Sequence, residues 1–428
     1  MLASCWLSIP STACSLVRLK NSSFLLVYYF LVLQTSMMRA LFFSRGLSEF
    51  GNAFRYPAIA LAIFGVNNSA QDAIAGEIAE TLGFFLASLI VPSFIDLFSK
   101  YKTLIWLEVL SLVVSGMFIY GTIYSSLTVL YAAAGVICAI SVYHSSAIQA
   151  LTATSQGAGF RNMFKGLNNL SIAILVGSTI GALIAGASIA KLGLVAFFVV
   201  DGITFLAAGI ILLTRYKAED FEYHTPDSPS LLLQWKEGFI ASFSKKEIAL
   251  PILAQALLGI VHGFQQALIL PLMKITIGAS DSLVAIRGAS NKLLSLAVSV
   301  WINVKSLSLR RMLFLGSAFL LIATLWLANV KTALVLIPIA LMSGGMSFLA
   351  PSNNSFISFQ VSSKTLGRVQ TFRSLMINLG VLIGQIACYF FVEDFGITGG
   401  YYIAAAFVVV SLLFYFPIRK AVQSVELS

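Results

Sequence analysis

The chain predicts an all-α polytopic membrane protein: about twelve transmembrane helices in two six-helix halves, with both termini cytoplasmic. Three observations carry that prediction. Hydrophobic residues make up 58% of the 428 positions and charged residues only 10%, against about 25% charged in an average soluble domain. Long apolar stretches alternate with short polar loops, and the mean hydropathy of +0.92 exceeds what a soluble core needs. Finally, the positive charges fall in every second loop.

One set of loops holds Lys100 and Lys102, then Arg161 and Lys165, then Arg215, Lys217, Lys236, Lys245 and Lys246. It continues with Lys305, Arg310 and Arg311, then Lys364, Arg368 and Arg373, and finally Arg419 and Lys420. The intervening loops hold only Lys191, Lys274 and Lys331. Basic flanks resist translocation, so this asymmetry orients the chain. In a soluble protein, a net charge of +10 would point to nucleic acid. Here it marks the inner membrane face, and nucleic acid is not an expected partner. The four cysteines, Cys5, Cys14, Cys138 and Cys388, lack metal or redox spacing, so no metal site is expected.

Taken in order, the expected spans are 40–65, 73–95, 103–123, 126–150, 167–190 and 194–214, then 248–272, 279–304, 311–330, 333–358, 373–393 and 399–418. A helix needs roughly 20 apolar residues to cross the bilayer, and each stretch supplies that length. The organisation is a 37–214 half, a 215–247 cytoplasmic linker, a 248–420 half and a 421–428 tail. Within the linker, Leu231 to Phe243 places apolar residues at helical spacing around Trp235 and Phe239, the pattern of an amphipathic surface helix. Residues 1–36 form an atypical extension. They read either as sequence upstream of a true start at Met37 or Met38, or as an interfacial segment. The halves look like a repeat. Phe164-Lys165-Gly166-Leu167 lies over Phe372-Arg373-Ser374-Leu375, and Lys102 over Arg310, at one common offset. Parallel six-span repeats place a substrate site at their interface near the bilayer midplane.

Local sequence adds a resemblance. Ser48-Glu49-Phe50-Gly51-Asn52 in the first span, Val200-Asp201-Gly202-Ile203-Thr204 in the sixth and Gly367-Arg368-Val369 after the tenth resemble the major facilitator superfamily. Within it they resemble the drug-efflux and siderophore-export branch that includes macrolide and enterobactin exporters. The resemblance implies the major facilitator fold and a latch around Asp96. There the family's glycine, basic residue and second glycine are replaced by Pro92, Leu97 and Ser99, while Lys100 and Lys102 supply shifted positive charge. In the family that carboxylate faces the start of span eleven, here at Gly367 and Arg368, where a helix N-terminus carries partial positive charge. Gly177, Gly181 and Gly186 in span five resemble the antiporter motif of drug exporters, and small residues at this spacing let helices approach closely.

Charges inside the spans are the functional candidates, because each costs roughly 2.5–3.5 kcal/mol on insertion scales unless paired or hydrated. Arg45, Ser48, Glu49, Asn52 and Arg55 recur at three- and four-residue steps, so they share one face of the first span. Glu49 lies roughly 13 Å into that span at helical rise, and Arg45 can pair with it along the helix. Span two adds Glu77 and Glu80, span four His144 and Gln149, and span six Asp201. The second half contributes His262, Gln265 and Gln266, then Arg287, Asn291 and Lys292, and Asn354 beside Asn353. Glu108, near the inner end of its span, is expected at the interface. Glu49, Glu80 and then Asp201 are the expected coupling carboxylates. Arg55, Arg287 and Lys292 are expected to tune them or to hold an anionic substrate group.

No His-Glu-x-x-His, Gly-x-Ser-x-Gly or Gly-x-x-x-x-Gly-Lys-Ser/Thr occurs, so neither an enzyme nor ATP-driven transport is expected. The reading is a monomeric, proton-coupled secondary exporter of a small amphipathic drug or siderophore, in a bacterial cytoplasmic membrane. It needs no cofactor beyond the proton gradient. Solute import, lysolipid movement between leaflets, and a non-transporting receptor or scaffold are the alternatives.

Overall fold

A computed structural model describes residues 36–94, 99–155, 160–214, 231–305, 307–361 and 366–418. The expectations for residues 1–35, for Asp96 and for the 421–428 tail lie outside the described residues. Ten long helices and one short one organise the described chain. They are α1 Ser36–Asn67, α2 Ala70–Phe94, α3 Lys100–Ile123, α4 Leu127–Ser155, α5 Phe160–Leu213, α6 Leu231–Phe243, α7 Lys246–Pro271, α8 Asp281–Lys305, α9 Leu309–Asn329, α10 Leu336–Gln360 and α11 Leu366–Leu413.

Helix ends follow local chemistry. Asn68 takes the left-handed conformation at φ 54°, and its N–H reaches the Phe64 carbonyl at 2.8 Å. Asparagine tolerates that conformation, so α1 stops there. The turn after α3 works similarly: Ser125 has φ 50°, and the Ser126 N–H returns to the Gly121 carbonyl at 2.9 Å. At the start of α9 the Ser308 hydroxyl accepts the Arg311 N–H, satisfying one orphan donor of the first turn. α7 runs through Pro271 into a π-helical turn, Leu272–Thr276.

Two helices are bent rather than continuous. α5 breaks at Gly193 (φ 74°, ψ 170°) and α11 at Gly396 (φ 65°, ψ 178°). That backbone region is essentially open to glycine alone, so each glycine turns one long apolar run into two arms. They occupy equivalent places in the two halves, between expected spans five and six and between eleven and twelve.

Nine helical stretches among the described residues are long and apolar enough to cross a bilayer; the two bent ones run 41 and 46 residues. α1 is not among the nine. It carries the Arg45, Glu49 and Arg55 stripe through its 32 residues. The outer surface is apolar: Trp106, Phe314 and Phe390 are each about two-thirds exposed or more. Broad apolar exposure of this kind requires a lipid environment. The chain is an integral membrane protein.

Inside, one core cluster takes residues from both halves. The Phe118 and Phe198 rings stack at 5.0 Å, and Phe54 packs on Phe197 at the same distance. The two most extensive helix contacts are α1 with α5 and α7 with α11. Both are made by glycine. A Cβ at Gly177 would stand 2.1 Å from the Gly46 carbonyl oxygen, and one at Gly380 would stand 2.1 Å from that of Ala256. The same packing device thus occurs once in residues 37–214 and once in residues 248–420.

α2 and α4 meet still more closely, since a Cβ at Gly83 would fall 1.9 Å from the Gly135 carbonyl oxygen. Overpacking of this kind costs about 1–3 kcal/mol. Gly83→Ala is therefore expected to lower the unfolding temperature in detergent. Gly116→Ala, where an added Cβ meets nothing within 4 Å, should leave it unchanged or raise it. Equal melting of the two variants would refute the packing argument.

Candidate functional site

A cavity of about 360 Å³ lies between the halves. Glu49 and Tyr56 of α1, Glu77 and Glu80 of α2, and Ser178 of α5 line one side. His262, Gln265 and Gln266 of α7, Arg287, Asn291 and Lys292 of α8, and Ser343 of α10 line the other. Helical spacing explains the grouping: residues three or four apart share a face, so Glu77 with Glu80 and Arg287 with Asn291 point the same way. Ala53, Ala182, Ile269 and Met342 fill the apolar remainder of the wall.

The polar groups of this wall are only partly satisfied. Gln265 Nε2 donates to Thr324 Oγ1 at 2.8 Å, and Gln385 Nε2 to Gln266 Oε1 at 3.1 Å. Gln266 Nε2 lies 3.0 Å from His262 Nε2; the amide donates, so that ring nitrogen accepts. His262 Nδ1, Arg287 Nη1 and Asn291 Oδ1 are buried without hydrogen-bond partners among the described residues. Among the described residues, the Glu80 carboxylate has only the Cys138 thiol, at 3.9 Å.

In the interior of the first half, Arg45 and Arg55 have carboxylate partners. Arg45 Nη2 meets Glu49 Oε1 at 2.5 Å, the along-helix pair that their spacing anticipates. Arg45 Nη1 also donates to His144 Nδ1 at 2.9 Å. A guanidinium can only donate, so His144 keeps its proton on Nε2, which lies 2.8 Å from Glu108 Oε1. Ser48 Oγ donates to the same Glu108 oxygen at 3.0 Å. This corrects the expectation for Glu108: it is 1% exposed, held inside the first half by α1 and α4 rather than lying at the interface. Arg55, 2% exposed, reaches both oxygens of fully buried Asp201, at 3.2 and 3.1 Å. Ser115 Oγ adds a third hydrogen bond to Asp201 at 3.0 Å, and the Phe205 ring centroid lies 5.3 Å from the guanidinium carbon.

The sequence candidates therefore separate into two groups. Glu49, Glu77, Glu80, His262, Gln265, Gln266, Arg287 and Lys292 come together on the cavity. Arg55 and Asp201 are locked to each other, and His144 to Arg45 and Glu108, away from its lining. Asn52 is buried on α1, its Oδ1 without a partner, as is Asn354 Oδ1 on α10. Tyr56, Ser178 and Ser343 are lining residues that sequence reasoning missed. An uncharged side chain on an apolar helix carries no signal until its neighbours are known.

A second cavity of about 480 Å³ adjoins the first. Arg45, Phe84, Ser145, Ser374 and Asn378 line it, and Tyr56 is common to both cavities. At the opposite end, expected to be outer, the halves touch. Gln71 Nε2 of α2 donates to Glu393 Oε1 of α11 at 2.6 Å, and a Cβ at Gly186 of α5 would stand 2.9 Å from the Ile286 side chain of α8.

The latch residues are only partly within view. Lys102 is exposed, while the Lys100 side chain and Gly367 surface lie outside the described residues. Arg368 pairs with Glu237 of α6. The Phe372 ring edge also packs on Phe239 and Phe243, with centroids 5.6 and 5.9 Å away. The linker helix is thus fastened to the start of α11.

Apolar helices thus surround a central polar cavity in an integral membrane protein. Residues 253–427 match the sequence profile of the Major Facilitator Superfamily, and the chain carries the major facilitator fold. A search of curated protein sequences finds no match. Among solved structures, the nucleoside transporter NupG superposes with a TM-score of 0.72 at 13% identity, covering 89% of this chain and 99% of that one. A POT family transporter in complex with a thioalcohol-conjugated peptide gives 0.74 at 12% identity, covering 90% and 96%. An inward-facing bacterial homologue of the iron transporter ferroportin gives 0.68 at 17%, covering 90% and 99%. At these identities the likeness establishes the fold alone.

Proposed function

We propose that the chain is a secondary active transporter that exports a small amphipathic molecule in exchange for protons. In this reading two six-helix halves, 37–214 and 248–420, rock about the cavity between them. The observation that carries it is the composition of that cavity: carboxylates from the first half face cations and amides from the second, across a space that no side chain fills. The bends at Gly193 and Gly396 support twelve crossings, which would leave both termini in the cytoplasm of a bacterial cell. Contact at the 67–70 end, with a second cavity towards the other, supports an inward-open state.

Exchange needs one group to hold either proton or substrate but not both. Glu80 fits, because it lines the cavity without an ion pair. A proton on that carboxylate removes the charge that would hold a substrate cation. Binding the cation releases the proton. Export of drugs or siderophores follows the resemblance of Ser48–Asn52 and the glycine motif of α5.

A substrate panel in proteoliposomes tests the proposal, spanning cationic drugs, macrolides, catechol and citrate siderophores, and lysolipids. At least one compound is expected to move against its own gradient when a pH difference is imposed. If no solute or lipid moves under any gradient, the receptor or scaffold reading replaces this one.

A further inference from the structure

Among the described residues, the buried cations of the first half have carboxylate partners, whereas four charges on the cavity wall have none. Arg45 has Glu49, and Arg55 has Asp201. Glu77 and Glu80 on one wall have no ion pair among the described residues, and neither do Arg287 and Lys292 on the other. Arg287 faces Glu77 and Glu80 within electrostatic reach, yet its buried Nη1 has no hydrogen-bond acceptor. A membrane interior penalises unpaired charge, and Arg45 and Arg55 avoid that penalty by internal pairing. Leaving two opposite charge pairs apart across an empty space is what a ligand carrying both signs would require.

We infer that the ligand of this cavity is a zwitterion. Its cationic end is held by Glu77 and Glu80, its anionic end by Arg287 and Lys292, and its apolar middle by Ala53 and Met342. The inference rests on the transport reading only in taking this cavity as the substrate chamber. A ligand of one sign would leave one wall uncompensated. A neutral ligand would leave both so. The bound zwitterion also joins the two halves, since its ends contact α2 and α8. Two sources share this chemistry: a free amino-acid-like solute and the zwitterionic headgroup of a lipid.

The test is binding to purified, detergent-solubilised full-length protein with no gradient present, so its outcome is independent of transport. The probes are 6-aminohexanoate, 8-aminooctanoate and 12-aminododecanoate, each against the alkylamine and alkanoate of the same length, read by thermal shift and calorimetry. At least one ω-amino acid should bind about ten- to a hundredfold more tightly than both of its single-charge analogues, the effect of one lost charge-assisted hydrogen bond. Glu77→Gln should reduce that preference over the alkanoate, and Arg287→Gln the preference over the alkylamine. Lysophosphatidylethanolamine that displaces the ω-amino acid identifies a lipid headgroup as the source; failure to displace it identifies a free solute. An alkylamine or alkanoate that binds as tightly as its ω-amino acid overturns the inference, as does absence of binding by the whole series. In either case a compound that moves under a pH gradient in proteoliposomes leaves the transport reading standing.

Discussion

Asp201→Ala is expected to lower the unfolding free energy by about 3–5 kcal/mol, the cost of removing one partner from a buried ion pair. Arg55 would keep its charge with no carboxylate to receive it, in a site where its Nε already lacks a partner. The surroundings offer no relief. A Cβ at Gly51 would meet the Thr204 hydroxyl at 1.9 Å and Asp201 Oδ1 at 3.2 Å, so α1 and the second arm of α5 pack closely here and, among the described residues, bring no second carboxylate to Arg55. Folded yield in detergent should fall sharply, with a lowered melting temperature in what remains. The double variant Arg55→Met/Asp201→Ala should recover most of the loss, because a well-packed apolar pair replaces a buried ionic one at little cost. If Asp201→Ala melts within a degree or two of the parent, the pair does not hold α1 to α5.

Glu80→Gln should have the opposite profile, with folding intact and coupling lost. Its carboxylate has no ion pair to break, and glutamine is nearly isosteric. A difference of one pH unit is worth about 1.4 kcal/mol per proton, so one-for-one exchange supports about a tenfold substrate concentration ratio. The parent is expected to build that ratio in proteoliposomes, whereas Glu80→Gln should reach only equal concentrations on both sides. Glu49→Gln tests the second carboxylate. It also weakens the tie to Arg45, so both its melting temperature and its coupling should fall. Parent-like accumulation by both variants would remove the carboxylates from the coupling mechanism.

The helices were largely legible because the bilayer imposes one strong constraint, an apolar length. The expected span at 311–330 is observed as Leu309–Asn329, and the amphipathic helix falls at Leu231–Phe243 as its apolar spacing predicts. Depth and partners were less legible. Glu108 stands about 8 Å inside its span at helical rise, which reads as interfacial until Ser48 and His144 are found beside it on other helices. Asp201 illustrates the same limit. An intramembrane carboxylate announces a cost, but only the position of Arg55, far away in sequence, shows that the cost is met internally. Glu77, Glu80, Arg287 and Lys292 gather at the cavity because helical period fixes a face, and that much a sequence does contain.

The glycine contacts have a mechanical consequence. Within each half, α1 against α5 and α7 against α11 touch backbone to backbone, so parting them would give up dense backbone packing together with weak Cα–H···O contacts of about 0.5–1 kcal/mol each. Between the halves, the α5–α8 seam sets Gly186 against the Ile286 side chain and Gly288 against that of Ala182, where separation gives up mainly dispersion, about 0.1–0.2 kcal/mol per atom pair. The molecule is therefore stiff along some joints and compliant along others. Thermal agitation flexes the compliant ones, so the path of motion is built into what each glycine faces, a neighbouring backbone or a side chain.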